Sequence, residues 1–169
     1  LVGESGSGKS TLGRALLKLI EPSAGEIRLD GTDLAPLDRR ALRPFRRRMQ
    51  MVFQDPYASL NPRLGVFDAI TEPLVLHTRL SEAERRAVAV ELLRRVSLPA
   101  EALDRWPHQF SGGQRQRICI ARALAAKPRL IVADEAVSAL DVSVQAQVME
   151  LMREIQAEDG LAWLFISHD

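Results

Sequence analysis

The chain has 169 residues, 46% of them hydrophobic, and 23 Lys+Arg against 22 Asp+Glu leave a net charge of +1. That length suits one domain with room for a subdomain and a substantial core, and the near-neutral balance excludes a global field that would draw the protein to nucleic acid or an anionic membrane. A single cysteine, Cys119, excludes internal disulfides and cysteine-rich zinc sites and is expected in the core; no apolar run reaches the roughly 18 residues of a spanning helix.

Taken in order, Leu1 and Val2 read as the end of a strand, so the sequence is expected to be cut at its start. The stretch Gly3-Glu4-Ser5-Gly6-Ser7-Gly8-Lys9-Ser10 fits G-x-x-x-x-G-K-[ST] and runs through Thr11 into a predicted helix over residues 12–19. Its glycines permit a tight turn in which backbone N–H groups converge on a polyphosphate, and the following helix presents its positive end to the same spot. Lys9 is placed to reach the β- and γ-phosphates and Ser10 to ligate Mg²⁺.

Residues 25–31 alternate apolar and polar side chains between glycines, which predicts a half-exposed antiparallel strand. Residues 38–48 carry six arginines. With charge near neutral and Phe45 the one interleaved aromatic, a solvated helix face is preferred over a nucleic-acid patch. Residues 49–53 form a short apolar strand that delivers Gln54 to the carboxyl edge of a sheet, a candidate for the metal or the attacking water.

Residues 66–127 read as helical, with a capping box at Ser81 to Glu84 and a core stripe of Val88, Leu92, Leu93 and Val96. Ser111-Gly112-Gly113-Gln114 opens a further helix. A hydroxyl beside bare N–H groups suggests a second anion site there, which a plain N-cap explains less well. The run from Leu130 to Ala133 predicts a strand buried on both faces that ends in Asp134-Glu135. Asp134 suits a Mg²⁺ shell, and Glu135 suits a general base, provided that a turn after Asp134 redirects it. Ser138 to Asp141 leads into a helix with the stripe Val144, Val148, Leu151, Met152 and Ile155. A last strand over residues 163–169 delivers His168 as a phosphate contact, and something is expected to follow it.

On these residues the chain resembles the nucleotide-binding domain of an ABC transporter over nearly its whole length. Gly3 to Ser10 match the Walker A loop, Gln54 the Q-loop, Ser111 to Gln114 the signature, Asp134 and Glu135 the Walker B pair, Ser138 to Asp141 the D-loop and His168 the switch histidine. The wording around Gln54, from Phe53 to Arg63, is similar to that of the bacterial dipeptide, oligopeptide and nickel importer subfamily, as are Phe110 to Gln114 and Val137 to Gln145.

The resemblance implies an α/β P-loop NTPase (RecA-like) fold: a mostly parallel sheet flanked by helices, with an inserted helical subdomain and a remnant of an antiparallel β subdomain. Residues 1–65 and 128–169 would form the core, truncated at both ends, and residues 66–127 the helical subdomain. It implies ATP and Mg²⁺ as cofactors, with nucleotide contacts from Gly3, Glu4, Ser5, Gly6, Ser7, Gly8, Lys9, Ser10, Thr11, Ser111, Gly112, Gly113, Gln114 and Asp141. Metal ligation would fall to Ser10, Gln54 and Asp134, and catalysis to Glu135, His168 and Gln54.

The partners implied are a second nucleotide-binding domain, identical or paralogous, packed head to tail; two transmembrane permease subunits; and indirectly a solute-binding protein, with no nucleic acid. The place implied is peripheral, on the cytoplasmic face of the inner (cell) membrane. The adenine-stacking aromatic of the family lies upstream of Leu1, and Ala136 stands where a proline is common. A soluble ABC ATPase of DNA repair or chromosome organisation is disfavoured because only about 100 residues separate Gly8 from Ser111, with no room for a coiled coil. A translation-factor ATPase would need a second cassette, and a GTPase lacks its Asn-Lys-x-Asp motif here.

Overall fold

The computed structural model describes residues 1–168; Asp169, the last residue of the predicted final strand, lies outside them. The phosphate loop runs into α1 (Lys9–Leu16), which starts three residues earlier than expected because left-handed Gly8 is its N-cap. It also stops earlier: Lys18 takes φ 50°, and such a residue cannot continue a right-handed helix. A Cβ on Gly13 would lie 2.7 Å from Ile166 Cδ1 and 3.1 Å from Val132 Cγ1, so α1 rests directly on the sheet at this glycine.

The predicted strand over residues 25–31 is shorter than its pattern. Asp30 and Gly31 (φ 50° and 80°) form the turn of a hairpin, leaving β1 (Arg28–Leu29) antiparallel to β2 (Thr32–Asp33). Then α2 (Arg39–Arg46) starts on the Asp38 carboxylate, which accepts from Ala41 N–H. Its arginines are more than a solvated face. Arg43 donates to the Leu76 carbonyl, Arg46 to that of Lys18, and Arg47 to that of Ala126. Each carbonyl stands at the end of a helix, where backbone acceptors lack intrahelical donors and partial negative charge gathers.

The strands β3 (Met49–Val52), β4 (Leu130–Asp134) and β5 (Ala162–Ile166) form a parallel sheet in that order, with Met49 opposite Leu130 and Leu130 opposite Ala162. Ile166 accepts from Glu135 N–H on the β4 side; on the other edge the N-terminal amine donates to the Phe165 carbonyl, and Val2 pairs in parallel with Ser167. Between β3 and β4 come α3 (Pro56–Ser59), α4 (Val66–His77), α5 (Glu82–Arg95), two 3₁₀ turns and α6 (Gly112–Ala125); α7 (Val142–Asp159) crosses from β4 to β5. The Ser81–Glu84 capping box is formed.

Strand parity divides the core. Ile131 and Ala133 face α4 to α7, whereas Val132 and Ile166 face α1, α2 and the hairpin. Ile131, Val132 and Ala133 are fully enclosed, as expected for a parallel strand covered on both faces. The stripes of α5 and α7 point inward, with Leu92, Leu93, Val96, Val148, Leu151, Met152 and Ile155 buried. Cys119 is buried in α6, and desolvation pushes its thiol up to about 11.

Candidate functional site

Parallel strands bring their carboxyl ends to one edge, and the site grows there from α1, β4 and β5. Gly6 and Gly8 take φ 81° and 90°, which bends the loop before α1 without steric cost. Lys9 crosses beneath that bend: its Nζ donates to the carbonyls of Gly3 (2.6 Å) and Glu4 (2.7 Å) and lies 3.5 Å from Ser7 Oγ. Its side chain is buried while Glu4, Ser5, Gly6, Ser7 and Gly8 are exposed, so the charge sits under an open rim. The first intrahelical bond runs from Leu12 N–H to Gly8, which leaves the N–H groups of Lys9, Ser10 and Thr11 without helical acceptors. Together they make an anion cradle.

Ser10 and Asp134 are 124 residues apart in sequence and joined in space: Ser10 Oγ donates to Asp134 Oδ1 at 2.6 Å. Arg14, one turn further along α1, places its guanidinium 3.9 Å from Asp134 Oδ2. Nothing in the local pattern singled out Arg14; its spacing of four from Ser10 was the only available signal.

After Asp134 the chain turns sharply. Glu135 takes φ 48°, a left-handed conformation unusual for this residue, while its N–H stays tied to Ile166. The turn breaks the alternation of the strand and carries Glu135 toward β5, where its Oε2 lies 3.8 Å from His168 Nδ1. Ser138 fastens this turn, donating to the Glu135 carbonyl at 2.9 Å and accepting from Gln54 Nε2 at 3.2 Å. Gln54 is therefore tied to the Glu135 turn through Ser138. Among the described residues no hydrogen bond joins it to Ser10 or Asp134. A cavity of about 470 Å³ opens beside this group, lined in part by Glu135, Ser138, Gln145, Ser167 and His168.

The second predicted anion site is built differently. Ser111 Oγ accepts from Gln114 N–H and Gln114 Oε1 accepts from Ser111 N–H, a reciprocal capping box, so the plain N-cap weighed against in the sequence is formed. The glycine pair has a packing reason as well: a Cβ on Gly113 would lie 2.4 Å from Val144 Cγ1 and one on Gly112 3.4 Å from Leu140 Cδ2. Ser111 and Gln114 are exposed, as is Asp141, which precedes α7 and makes no side-chain bond to it. Two residues on, Gln116 is fully buried, and neither amide atom has a partner among the described residues.

Comparison with known proteins agrees with this geometry. A family model described as ABC transporter matches residues 1–138. The chain is 58% identical over its full length to a probable peptide ABC transporter ATP-binding protein, y4tS, of Sinorhizobium fredii, covering 48% of that protein. It is 59% identical to the glutathione import ATP-binding protein GsiA of Pectobacterium atrosepticum, again over the full chain and 27% of the relative. The chain thus spans about half the length, or less, of the curated relatives it matches.

Among solved structures, the dimeric ATP-binding cassette MJ0796 in a post-hydrolysis state with ADP and Pi superposes with a TM-score of 0.85 at 36% identity, over 99% of this chain and 73% of that one. The cbiO1 protein of Clostridium perfringens, part of the cbiONQ transporter complex, superposes at 0.86 with 30% identity, over 99% and 65%. With a glycine-bent loop over a buried lysine, its serine bonded to the acidic tip of a parallel strand, and sequence and structure likenesses that span the chain, the protein belongs to the ABC transporter family as an ATP-binding domain.

Proposed function

We propose that this chain is the ATP-binding and ATP-hydrolysing part of a bacterial ABC importer for peptides or a related solute such as glutathione or nickel. The observation that carries the reading is the convergence of three distant segments: Lys9 under the loop, Ser10 on Asp134, and Glu135 turned away from Asp134 toward His168. The names of the relatives support an importer over a soluble DNA-repair or translation ATPase.

In this reading the free N–H groups at the start of α1 and the Lys9 ammonium hold the β- and γ-phosphates. Gly3 to Gly8 supply the bend, and Thr11 stands beside them at the helix start. Ser10 and Asp134 offer two hard oxygen ligands side by side, a set that fits Mg²⁺, which takes one or two carboxylates and fills its shell with water and phosphate. When bound, the ion supplies charge neutralisation at the phosphates. Among the described residues no cluster of three or more His, Cys, Asp or Glu could hold a metal, so a dedicated protein cage is not the alternative. Glu135 takes the proton of the attacking water and His168, beside it, contacts the phosphate, while Gln54, tied to the same turn through Ser138, serves the metal or the water.

The exposed start of α6, from Ser111 to Gln114, together with Asp141, meets the nucleotide of a second cassette packed head to tail. Residues 1–65 and 128–169 act as the core and residues 66–127 as the helical part that passes motion to two permease subunits, served by a solute-binding protein. The protein then sits peripherally on the cytoplasmic face of the membrane; no helix among the described residues is long and apolar enough to cross one.

Glu135→Gln in the full-length protein tests the central assignment. It keeps size and hydrogen bonding but loses basicity, so MgATP binding stays while single-turnover hydrolysis falls at least about a hundredfold and an ATP-bound dimer accumulates on size-exclusion chromatography. Near-normal hydrolysis in this variant, with the loss seen in His168→Ala instead, would move the base to His168.

A further inference from the structure

We propose that the amino-terminal edge of the sheet, opposite the phosphate loop, carries a second anion site that takes a small polyvalent phosphate-class anion. A cavity of about 420 Å³ opens there, lined by Pro44, Arg47, Arg48, His77, Lys127 and Arg129. That volume is in the range of pockets that hold small molecules.

The cations come from separate parts of the fold. Arg47 and Arg48 follow α2, Lys127 follows α6, and Arg129 precedes β4. Helix ends explain some of this charge, since carbonyls at the carboxyl ends of α4 and α6 carry about half a negative charge each. Arg47 is spent in that way on the Ala126 carbonyl. Among the described residues, Asp30 is the one carboxylate bonded to these cations. Four cations against one carboxylate and two helix ends leave a surplus of about two positive charges. Burial, then Arg43 and Arg47, holds the His77 imidazole below its usual range, as expected beside uncompensated cations.

The surplus is also organised. Asp30, at the left-handed tip of the hairpin, accepts from Arg48 on one oxygen (2.9 Å) and from Arg129 on the other (2.7 Å). One carboxylate thus holds two guanidiniums side by side, and each spends one of its five donors there. The unspent planar forks match phosphoryl oxygens.

Lys127 adds a contrast with Lys18. Both follow a helix in the left-handed region, where glycine costs least. Lys18 spends its buried ammonium on Glu21 and the Ala35 carbonyl, whereas the ammonium of exposed Lys127 bonds to no side chain or carbonyl among the described residues. The Lys127 charge is thus left for a ligand rather than spent within the fold.

The test uses the full-length protein with its phosphate loop saturated by ADP, so that the two anion sites are read apart. Pyrophosphate, titrated by calorimetry at low salt, is expected to bind once more per chain. Arg129→Gln and Lys127→Gln are each expected to weaken that binding about tenfold or more, with ADP affinity unchanged, while Arg153→Gln on α7 serves as a surface control. Three results would overturn the proposal: no pyrophosphate binding beside ADP, equal losses in the Arg153→Gln control, or binding of phosphatidylglycerol vesicles at these residues that pyrophosphate does not displace.

Discussion

In the loop before α1 the glycines bend the chain, and at the start of α6 they let two helices touch. Gly6 and Gly8 occupy left-handed backbone, and the bend they make closes over Lys9 and hands Ser10 to a strand 124 residues away. Gly112 and Gly113 are helical, and Gly113 instead admits the Val144 side chain of α7. The first site is cross-linked within this chain and ready for an anion. The second has its hydroxyl engaged in its own cap, and its polar face is exposed. Two helix starts that look alike in sequence are thus one bonded into its own chain and one facing outward, the difference that the proposed head-to-tail pair of cassettes would use.

The largest effect that would break this comparison is expected at Lys9. Lys9→Ala removes the buried charge and its two short bonds to Gly3 and Glu4. Several charge-assisted bonds are lost together, so nucleotide affinity in calorimetry should fall at least about a hundredfold. An unchanged affinity would mean that the loop is not the cradle.

Ser111→Arg probes the outward-facing half. Nucleotide binding to the monomer is expected to stay within about twofold, while steady-state hydrolysis falls by about 10²–10³, the usual loss for a missing transition-state donor. Mixing it with Lys9→Ala subunits is decisive: a head-to-tail pair then keeps one competent site, whereas a mixed pair with no working site would place Ser111 against its own nucleotide.

Gly113→Ala separates packing from chemistry at the same helix start. Its Cβ would overlap Val144 Cγ1, so thermal or denaturant unfolding of the full-length protein should show a loss of about 1–3 kcal/mol. Val144→Ala in the same chain should recover most of it. Failure of that rescue would return Gly113 to a purely ligand-facing role.

The smallest effect concerns Gln116, whose amide is buried without a partner one turn inside α6. Gln116→Met keeps its length and removes both unpaired atoms, and a gain of about 1 kcal/mol in unfolding free energy is expected with nucleotide affinity unchanged. A loss of stability instead would show that the amide is paired in solution.

Local spacing made much of the fold legible. The loop glycines, the apolar run of β4, the Ser81 cap and the α7 stripe each follow from periods of 2 or 3.6 and from φ preferences that neighbours in sequence impose. Asp30 fits the alternating pattern of a single strand, and only pairing with β2 shows that the chain turns there. The arginines after Asp38 look solvated by composition, yet three of them reach the ends of α1, α4 and α6, positions that no nearby residue encodes.

Local sequence sets the functional groups of this protein: a lysine and a serine after a glycine loop, an acidic pair at a strand end, a serine and two glycines at a helix start. These are local facts, since each requires only its own neighbours to set the backbone. Tertiary structure decided which of them meet. Ser10 with Asp134, Glu135 with His168, Gln54 with Ser138 and Arg14 beside Asp134 are partnerships across strands and crossovers. They depend on the order β3-β4-β5 and on Gly13 letting α1 rest against the sheet, because contact between distant residues is fixed by how elements stack rather than by the pattern within any one of them.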